Sequence, residues 1–424
     1  MMTRSAGFGR VVGAGVVGTT VEFFDFFLYA SAATAIFPQV FFPGSEGLLG
    51  VLAALLTYAV GFVARPIGGV LFGHFGDRLG RKRLLVISLL MMGVASALIG
   101  VLPGYAEIGV AAPILLTVLR LAQGFALGGE FGGAVVLVAE HGPPKRRGFW
   151  TAWPQTGGPL GNLLANGALT TVAWLTTDAQ YGSWGWRLPF IASLLIVGIG
   201  LWIRLRVEES PLFTAAAKAE RTVRTPLLRV FVEHPRPLFS AFAARLGENA
   251  AFYVFTVFLL VYAQHLGVPK GVATGAVTAG SVVQVLGMLA GGALSDRFGR
   301  RPVAVIAAVL AAGWTPVFFA LVGGKASAAI FLAVATGLLL HGLLTGAQSA
   351  FYTELFSTEL RYSGVSIGYQ AATMFSGAAA PLIGTAFLRS TGSATPVVLM
   401  LMLCLALTVV GMLVVPETRH KQLS

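Results

Sequence analysis

Charge is what this chain has least of: 11% of its 424 residues are Asp, Glu, Lys or Arg, less than half of the roughly 25% usual in soluble domains. With 56% of residues hydrophobic and a mean hydropathy of +0.81, that scarcity excludes an ordinary soluble protein and fits a polytopic helical membrane protein. Cysteine is nearly absent as well. The single Cys404 lies in an apolar run, which excludes a disulfide framework and a thiolate metal site. Also missing are a Gly-x-x-x-x-Gly-Lys-Ser/Thr phosphate loop, a His-Glu-x-x-His pair and a soluble domain large enough for nucleotide chemistry. An enzyme is therefore not expected, and neither is a metal or organic cofactor.

The 17 acids are outnumbered by 29 bases, for a net charge of +12. Nucleic acid is nevertheless an unsuitable partner, because the bases sit in short loops between apolar runs. About 22 of the 29 lie on alternate connections that include both termini, about 4 on the opposite connections and 3 inside the runs. Positive-inside bias then places both termini in the cytoplasm and requires an even number of spans. The first run is long and leads straight into a second, so it is expected to be an uncleaved insertion signal.

Twelve apolar segments meet that requirement, at approximately 11–36, 48–72, 84–103, 112–139, 149–175, 188–206, 237–265, 271–293, 303–322, 326–352, 363–388 and 395–415. The one long polar connection, 207–236, divides them into an N-terminal six-helix unit (1–206) and a C-terminal one (237–424). The 54 glycines suit helices that must approach closely in lipid.

Two carboxylates stand out in the first segment. Glu22 and Asp25 are three residues apart and share a helix face. A charge at mid-membrane costs at least ~2.5 kcal/mol, so such a face turns toward a partner or a water-filled path. Either it marks function or it is an ion pair that only joins helices.

The two halves repeat. Gly73-His-Phe-Gly-Asp77-Arg78-Leu-Gly80-Arg81-Lys82 after the second segment is echoed by Gly292-Ala-Leu-Ser-Asp296-Arg297-Phe-Gly299-Arg300-Arg301 after the eighth. Gly124 and Gly128 of the fourth have counterparts in Gly342 and Gly346 of the tenth. Internal repeats of this kind belong to transporters that rock two halves about a midplane site. In the loop motif an Asp is placed to face a helix N-terminus, and its bases to pair with acids or carbonyls at helix C-termini.

The loop motif, its echo and the six-plus-six division resemble the major facilitator superfamily. More narrowly, Glu22-Phe-Phe-Asp-Phe-Phe-Leu-Tyr29, Arg120-Leu-Ala-Gln-Gly-Phe-Ala-Leu-Gly-Gly-Glu130, Gly185-Trp-Arg-Leu-Pro189, Glu208-Glu-Ser-Pro211 and Arg361-Tyr-Ser-Gly364 are similar to the metabolite:proton symporter family. That family includes carriers of 2-oxoglutarate, citrate, shikimate and proline or glycine betaine. The resemblance implies an all-α fold of twelve transmembrane helices in two bundles. It also implies a multi-pass protein of the cell inner membrane, acting as a monomer, with the proton as coupling ion.

By resemblance to sugar:proton symporters, Asp25 and Arg120 are the expected proton-coupling pair, with Glu22 one turn deeper. The function expected is proton-coupled uptake of a small organic anion; the alternatives are symport of a zwitterion such as proline or betaine, and proton-driven efflux. The chain ends soon after Pro416, without the long coiled coil of the osmosensing members, and the span-five antiporter pattern is broken at Pro154 and Asn162.

In the seventh segment Arg245, Glu248, Asn249 and Tyr253 fall on one polar stripe, where the guanidinium fork of Arg245 suits a carboxylate. Glu248 instead neutralises that arginine in a purely structural reading. Further substrate candidates are Tyr29, Gln123, Gln155, Asn162, His341, Gln348, Tyr369 and Gln370. His341 is either a second titrating group or a hydrogen-bonded packing residue. The gate is expected to comprise Gly73, Asp77, Arg78, Gly80, Arg81, Lys82, Asp296, Arg297 and Arg300. Arg65, Glu130 and Glu140 join it, with Arg65 and Glu130 as a structural or gating pair.

Overall fold

The computed structural model describes residues 2–44, 48–79, 81–128, 131–205 and 226–421. Every expected segment is helical. The first three are Met2–Ala35, Leu48–Leu79 and Arg81–Val101; the fourth is Ala111–Gly128 and Phe131–His141; the fifth is Arg147–Gln155 and Gly157–Leu175; the sixth is Leu188–Leu205. The seventh joins Pro235–Tyr253 to Leu259–His265 through a π turn at Val254–Phe258. Lys270–Phe298, Arg300–Gly323 and Ser327–Leu355 form the eighth to tenth. The eleventh joins Thr358–Thr373 to Ala379–Thr391 through a second π turn at Met374–Ala378, and Thr395–Leu413 is the twelfth.

Ten helices among the described residues are long and apolar enough to cross a membrane. The other two segments are the third, apolar over Val86–Val101, and the fifth. The fifth breaks at Thr156 just after Pro154, which has no N–H to give the helix ladder. Large apolar side chains such as Leu195, Leu286 and Leu403 are 63–74% exposed, as a surface bathed in lipid requires.

The first six segments pack among themselves, and so do the last six. The two bundles meet where the fifth segment touches the eighth and tenth, and where the second touches the eleventh. Within each bundle glycines let two helices approach backbone to backbone, at corresponding points of the repeat. A Cβ on Gly124 would strike the Gly61 carbonyl, and one on Gly342 would lie 2.5 Å from the Gln284 carbonyl. Side chains are too large for these crossings. The second of them has a chemical result, because it carries Gln284 up against His341.

The second segment continues as helix to Leu79, well beyond the apolar run that ends at residue 72. Arg65 therefore sits near the middle of its helix, not at the end.

Candidate functional site

A cavity lies where the bundles meet. It is lined from the first by Thr19, Glu22, Phe23, Arg65 and Gln155, and from the second by Arg245, Tyr253, Tyr369 and Gln370. Its free volume of about 30 Å³ leaves room for only one or two waters. Aromatic rings cover it on the side away from the termini: Tyr253 packs edge-on to Phe62 at 5.6 Å, and Phe27 meets Phe252 at 5.3 Å. On the terminal side Gln370 Nε2 donates to the Gly128 carbonyl across the bundles at 3.4 Å. Described residues thus cover the cavity on both sides.

Two arginines reach this cavity, one from each half. Arg65 places its guanidinium over Phe26 and Phe62, 4.3 Å from each ring centroid, with Nε and Nη2 unpaired. Its expected position at the gate followed from counting within an apolar run shorter than the helix, and the structure moves it to the centre. Arg245 stacks 3.9 Å over Tyr369, ion-pairs with Glu248 and donates from Nη2 to Asn249 Oδ1 at 3.0 Å. Asn249 in turn donates to Ser376 Oγ at 2.9 Å.

Several other substrate candidates lie away from the cavity. Tyr29 bonds Thr57 Oγ1 at 2.6 Å. Asn162 contacts Ser281 and accepts from Asn166. Gln348 donates to the Ala244 carbonyl and accepts from Tyr352. His341 faces Glu248, behind the wall.

Asp25 and Arg120 do not form the direct pair expected. Arg120 is enclosed by Phe26, Tyr29 and Tyr58, with its Cζ 4.4–4.6 Å from the ring centroids. The rings hold the guanidinium by cation–π contact, and no Asp25 oxygen hydrogen-bonds to its N–H edge. The connection runs through intermediates: Arg120 Nη1 donates to Gln123 Oε1 at 3.0 Å, and Gln123 Nε2 donates to Ser96 Oγ at 2.7 Å. Ser96 and Ser193 face Asp25, and Ser96, already accepting from Gln123, keeps its own proton to offer. Neither Asp25 oxygen has a partner at hydrogen-bonding geometry, and the residue is fully buried. Gln123, expected at the substrate, instead works in this relay.

The terminal side is shut by charge. Asp296 accepts the N–H groups of Gly148 and Phe149, both at 2.8 Å, so the acid of the second-half motif caps the helix starting at Arg147 in the first half. Arg300 holds that acid at 2.7 Å and reaches Glu354 at 3.2 Å. Among the described residues two ion pairs cross between the bundles: Arg147 to Glu354 at 2.9 Å and Arg361 to Glu140 at 3.3 Å. Arg147, Glu354 and Arg361 were missed as gate residues, although Glu-x6-Arg occurs at both 140–147 and 354–361. Arg297, expected in the gate, lies over the Phe298 ring, and its carbonyl accepts from Arg419. Gly80 and Glu130 lie outside the described residues, and of Gly73, Asp77, Arg78, Arg81 and Lys82 only the backbone is described.

The C-terminal tail seals this side. Glu417 accepts the N–H groups of Arg300 and Arg301, at 2.9 Å each, and those of Thr418 and Arg419. Burial raises its pKa, but these four donors outweigh burial and hold it below the ordinary 4.5. Its contribution to docking is complete above that ordinary value and is lost as pH falls through the lowered one. Amide exchange across 417–421 is expected to accelerate at acid pH in the wild type and to be fast already at neutral pH in Glu417→Gln. Equal protection in both proteins would assign the docking to other contacts.

The family model described as Major Facilitator Superfamily matches residues 15–367 and 239–424. The inner membrane metabolite transport protein YhjE of Escherichia coli is 41% identical, over 98% of this chain and 95% of its own. The shikimate transporter of the same organism is 39% identical, over 88% of this chain and 86% of its own. Among solved structures, the proton:xylose symporter XylE bound to 6-bromo-6-deoxy-D-glucose aligns with a TM-score of 0.76 at 18% identity, covering 99% of this chain and 98% of that one.

Proposed function

Since the chain belongs to the major facilitator superfamily, and is a multi-pass membrane transporter rather than an enzyme, we propose that it imports a small organic anion together with protons. It does so by alternating access across the cell inner membrane, with both termini cytoplasmic, as the distribution of Lys and Arg favours. The observation that carries this reading is the convergence of Arg65 and Arg245, one from each bundle, on a single cavity. A carboxylate held by both guanidiniums draws the halves together, which couples binding to closure. Mono- and dicarboxylates and hydroxylated ring acids suit the site, since Tyr253, Tyr369, Gln155 and Gln370 supply hydroxyl and amide partners.

Asp25 is the proposed carrier of the coupling proton. A neutral carboxyl tolerates its dry surroundings, whereas an ionised one requires water or a cation there. Proton loss would therefore favour a rearrangement that brings solvent or Arg120 to it. Glu22 also lines the cavity and would accept the cationic end of a zwitterion.

Counterflow in proteoliposomes against shikimate, 2-oxoglutarate, citrate, proline and glycine betaine tests the substrate class. Accumulation of one of the acids is expected, and a response to betaine or proline alone would reassign the site to zwitterions. Arg245→Lys is expected to weaken binding of the responding acid by about 10- to 100-fold, because an ammonium cannot reproduce the two-pronged contact. Unchanged affinity in folded Arg245→Ala would exclude a direct contact.

A further inference from the structure

Behind the cavity wall a single carboxylate is shared by two bases. Glu248 gives Oε2 to Arg245, while its Oε1 lies 2.9 Å from His341 Nε2 and accepts from Thr345 Oγ1 at 2.7 Å. His341 is buried, and its Nδ1 lies 2.7 Å from Gln284 Nε2. A neutral ring fits this arrangement, with Nε2–H donating to Glu248 and Nδ1 accepting from the amide. The cost falls on Gln284, whose Oε1 is buried without a partner. Turning the terminal amide by half a rotation brings that oxygen to Nδ1, where it is satisfied by Nδ1–H, and while Nε2–H stays on Glu248 that means a second proton on the ring. An acceptor for an imidazolium is therefore already in place.

We propose that His341 takes up a proton in concert with the substrate anion, and that Glu248 transmits this to Arg245. The proton arrives at the Nδ1 lone pair, Nε2–H is retained, and the Gln284 amide turns to receive Nδ1–H. With the ring neutral, Arg245 and Glu248 cancel. With the ring charged, Glu248 is satisfied by imidazolium and Thr345, and Arg245 is released toward the cavity. The cluster of three then carries one excess positive charge, which a carboxylate in the cavity neutralises; buried charge in a membrane core persists when it is balanced in this way. Proton and anion each tighten the other by the same factor.

The groups facing His341 are Glu248 and the Phe252 ring from the seventh segment, Gln284 from the eighth and Thr345 from its own. Arg245 is the next charge beyond, with Tyr352, Tyr369 and Tyr253 around it. The anion half of the proposal rests on the function proposed above, whereas the proton half stands alone. It places a proton site in the second bundle, distinct from Asp25 in the first.

Ring-nitrogen NMR on full-length protein in lipid nanodiscs, with the six histidines labelled, tests the proton half. The His341 signal is identified by its loss in His341→Gln, or in His341→Asn if the first variant does not fold. The expected result is an Nε2–H ring at high pH that gains a second proton on acidification, with a midpoint at least about one pH unit lower in Glu248→Gln, where the stabilising carboxylate is gone. A ring that stays neutral down to about pH 5, or a midpoint unmoved by Glu248→Gln, overturns the proposal.

For the acid identified by counterflow, binding in weak buffer should take up about one proton more in the wild type than in His341→Gln, and affinity should fall less steeply with rising pH in His341→Gln, where only the proton at Asp25 remains coupled. Equal uptake overturns the coupling. If no acid binds at all, the transport reading fails and takes the anion half with it, while the NMR midpoints still decide whether His341 is a proton site.

Discussion

Glu354→Ala is expected to open the terminal side of the protein. This buried carboxylate accepts from Arg147, from two nitrogens of Arg300 and from Thr418. Removing one partner of a buried ion pair costs about 3–5 kcal/mol, because the remaining charges lose their counter-ion. Arg300 and Thr418 belong to the same bundle as Glu354, so only the share of the loss at Arg147, across the seam, falls on conformations in which the bundles meet there. The balance should therefore move by roughly 10²-fold toward the form open on the terminal side. Spin labels at the exposed Lys145 and Ser357, in protein with Cys404 replaced by alanine, report the separation directly. A longer distance is expected in Glu354→Ala and a smaller change in Glu354→Gln, which keeps an acceptor. An unaltered distance in the alanine variant would mean that closure is held elsewhere.

Asp25→Asn is expected to abolish uphill accumulation while leaving exchange of substrate within a few-fold of the wild type. The amide reproduces the uncharged form of the side chain and cannot give up a proton. Its surroundings, Ser96 and Ser193 with no direct cation, accommodate a neutral group of the same shape, so folding should survive. Proteoliposomes with and without an imposed proton gradient separate the two activities. Gradient-driven accumulation that persists in the variant would remove Asp25 as the obligatory carrier. Arg120→Ala bears on the same path indirectly, through Gln123 and Ser96, so its effect on the pH optimum should be smaller than a contact pair would give.

The twelve segments and their repeat were legible in the sequence because hydropathy, glycine spacing and the Gly-x-x-x-Asp-Arg motif are local signals. Depth was less legible. Arg65 was assigned to the gate because the apolar run ends near residue 72, whereas the helix runs on to Leu79. Partners were the least legible. Arg120 is packed among three aromatic rings and is linked toward Asp25 through Gln123 and Ser96, and no residue spacing encodes that. His341 offered two readings, and only the approach of segments eight and ten at Gly342 brings Gln284 to it. The crossing pairs Arg147–Glu354 and Arg361–Glu140 left a trace in the doubled Glu-x6-Arg, but which acid meets which base depends on how the bundles dock.

Those two crossing pairs have a mechanical meaning as well. Each bundle supplies one acid and one base, and together with the Asp296 cap on Gly148 and Phe149 the pairs bind the bundles along the terminal edge of their seam. Two rigid bodies held along one edge keep one easy freedom, rotation about that edge. That rotation parts the bundles on the opposite side of the membrane and leaves the terminal side together. The same charges that act as a bolt against opening toward the termini therefore serve as an axle for opening the other way. Under the import proposed above, the carrier need not release them to expose its cavity to the far side, only to let the substrate out toward the termini.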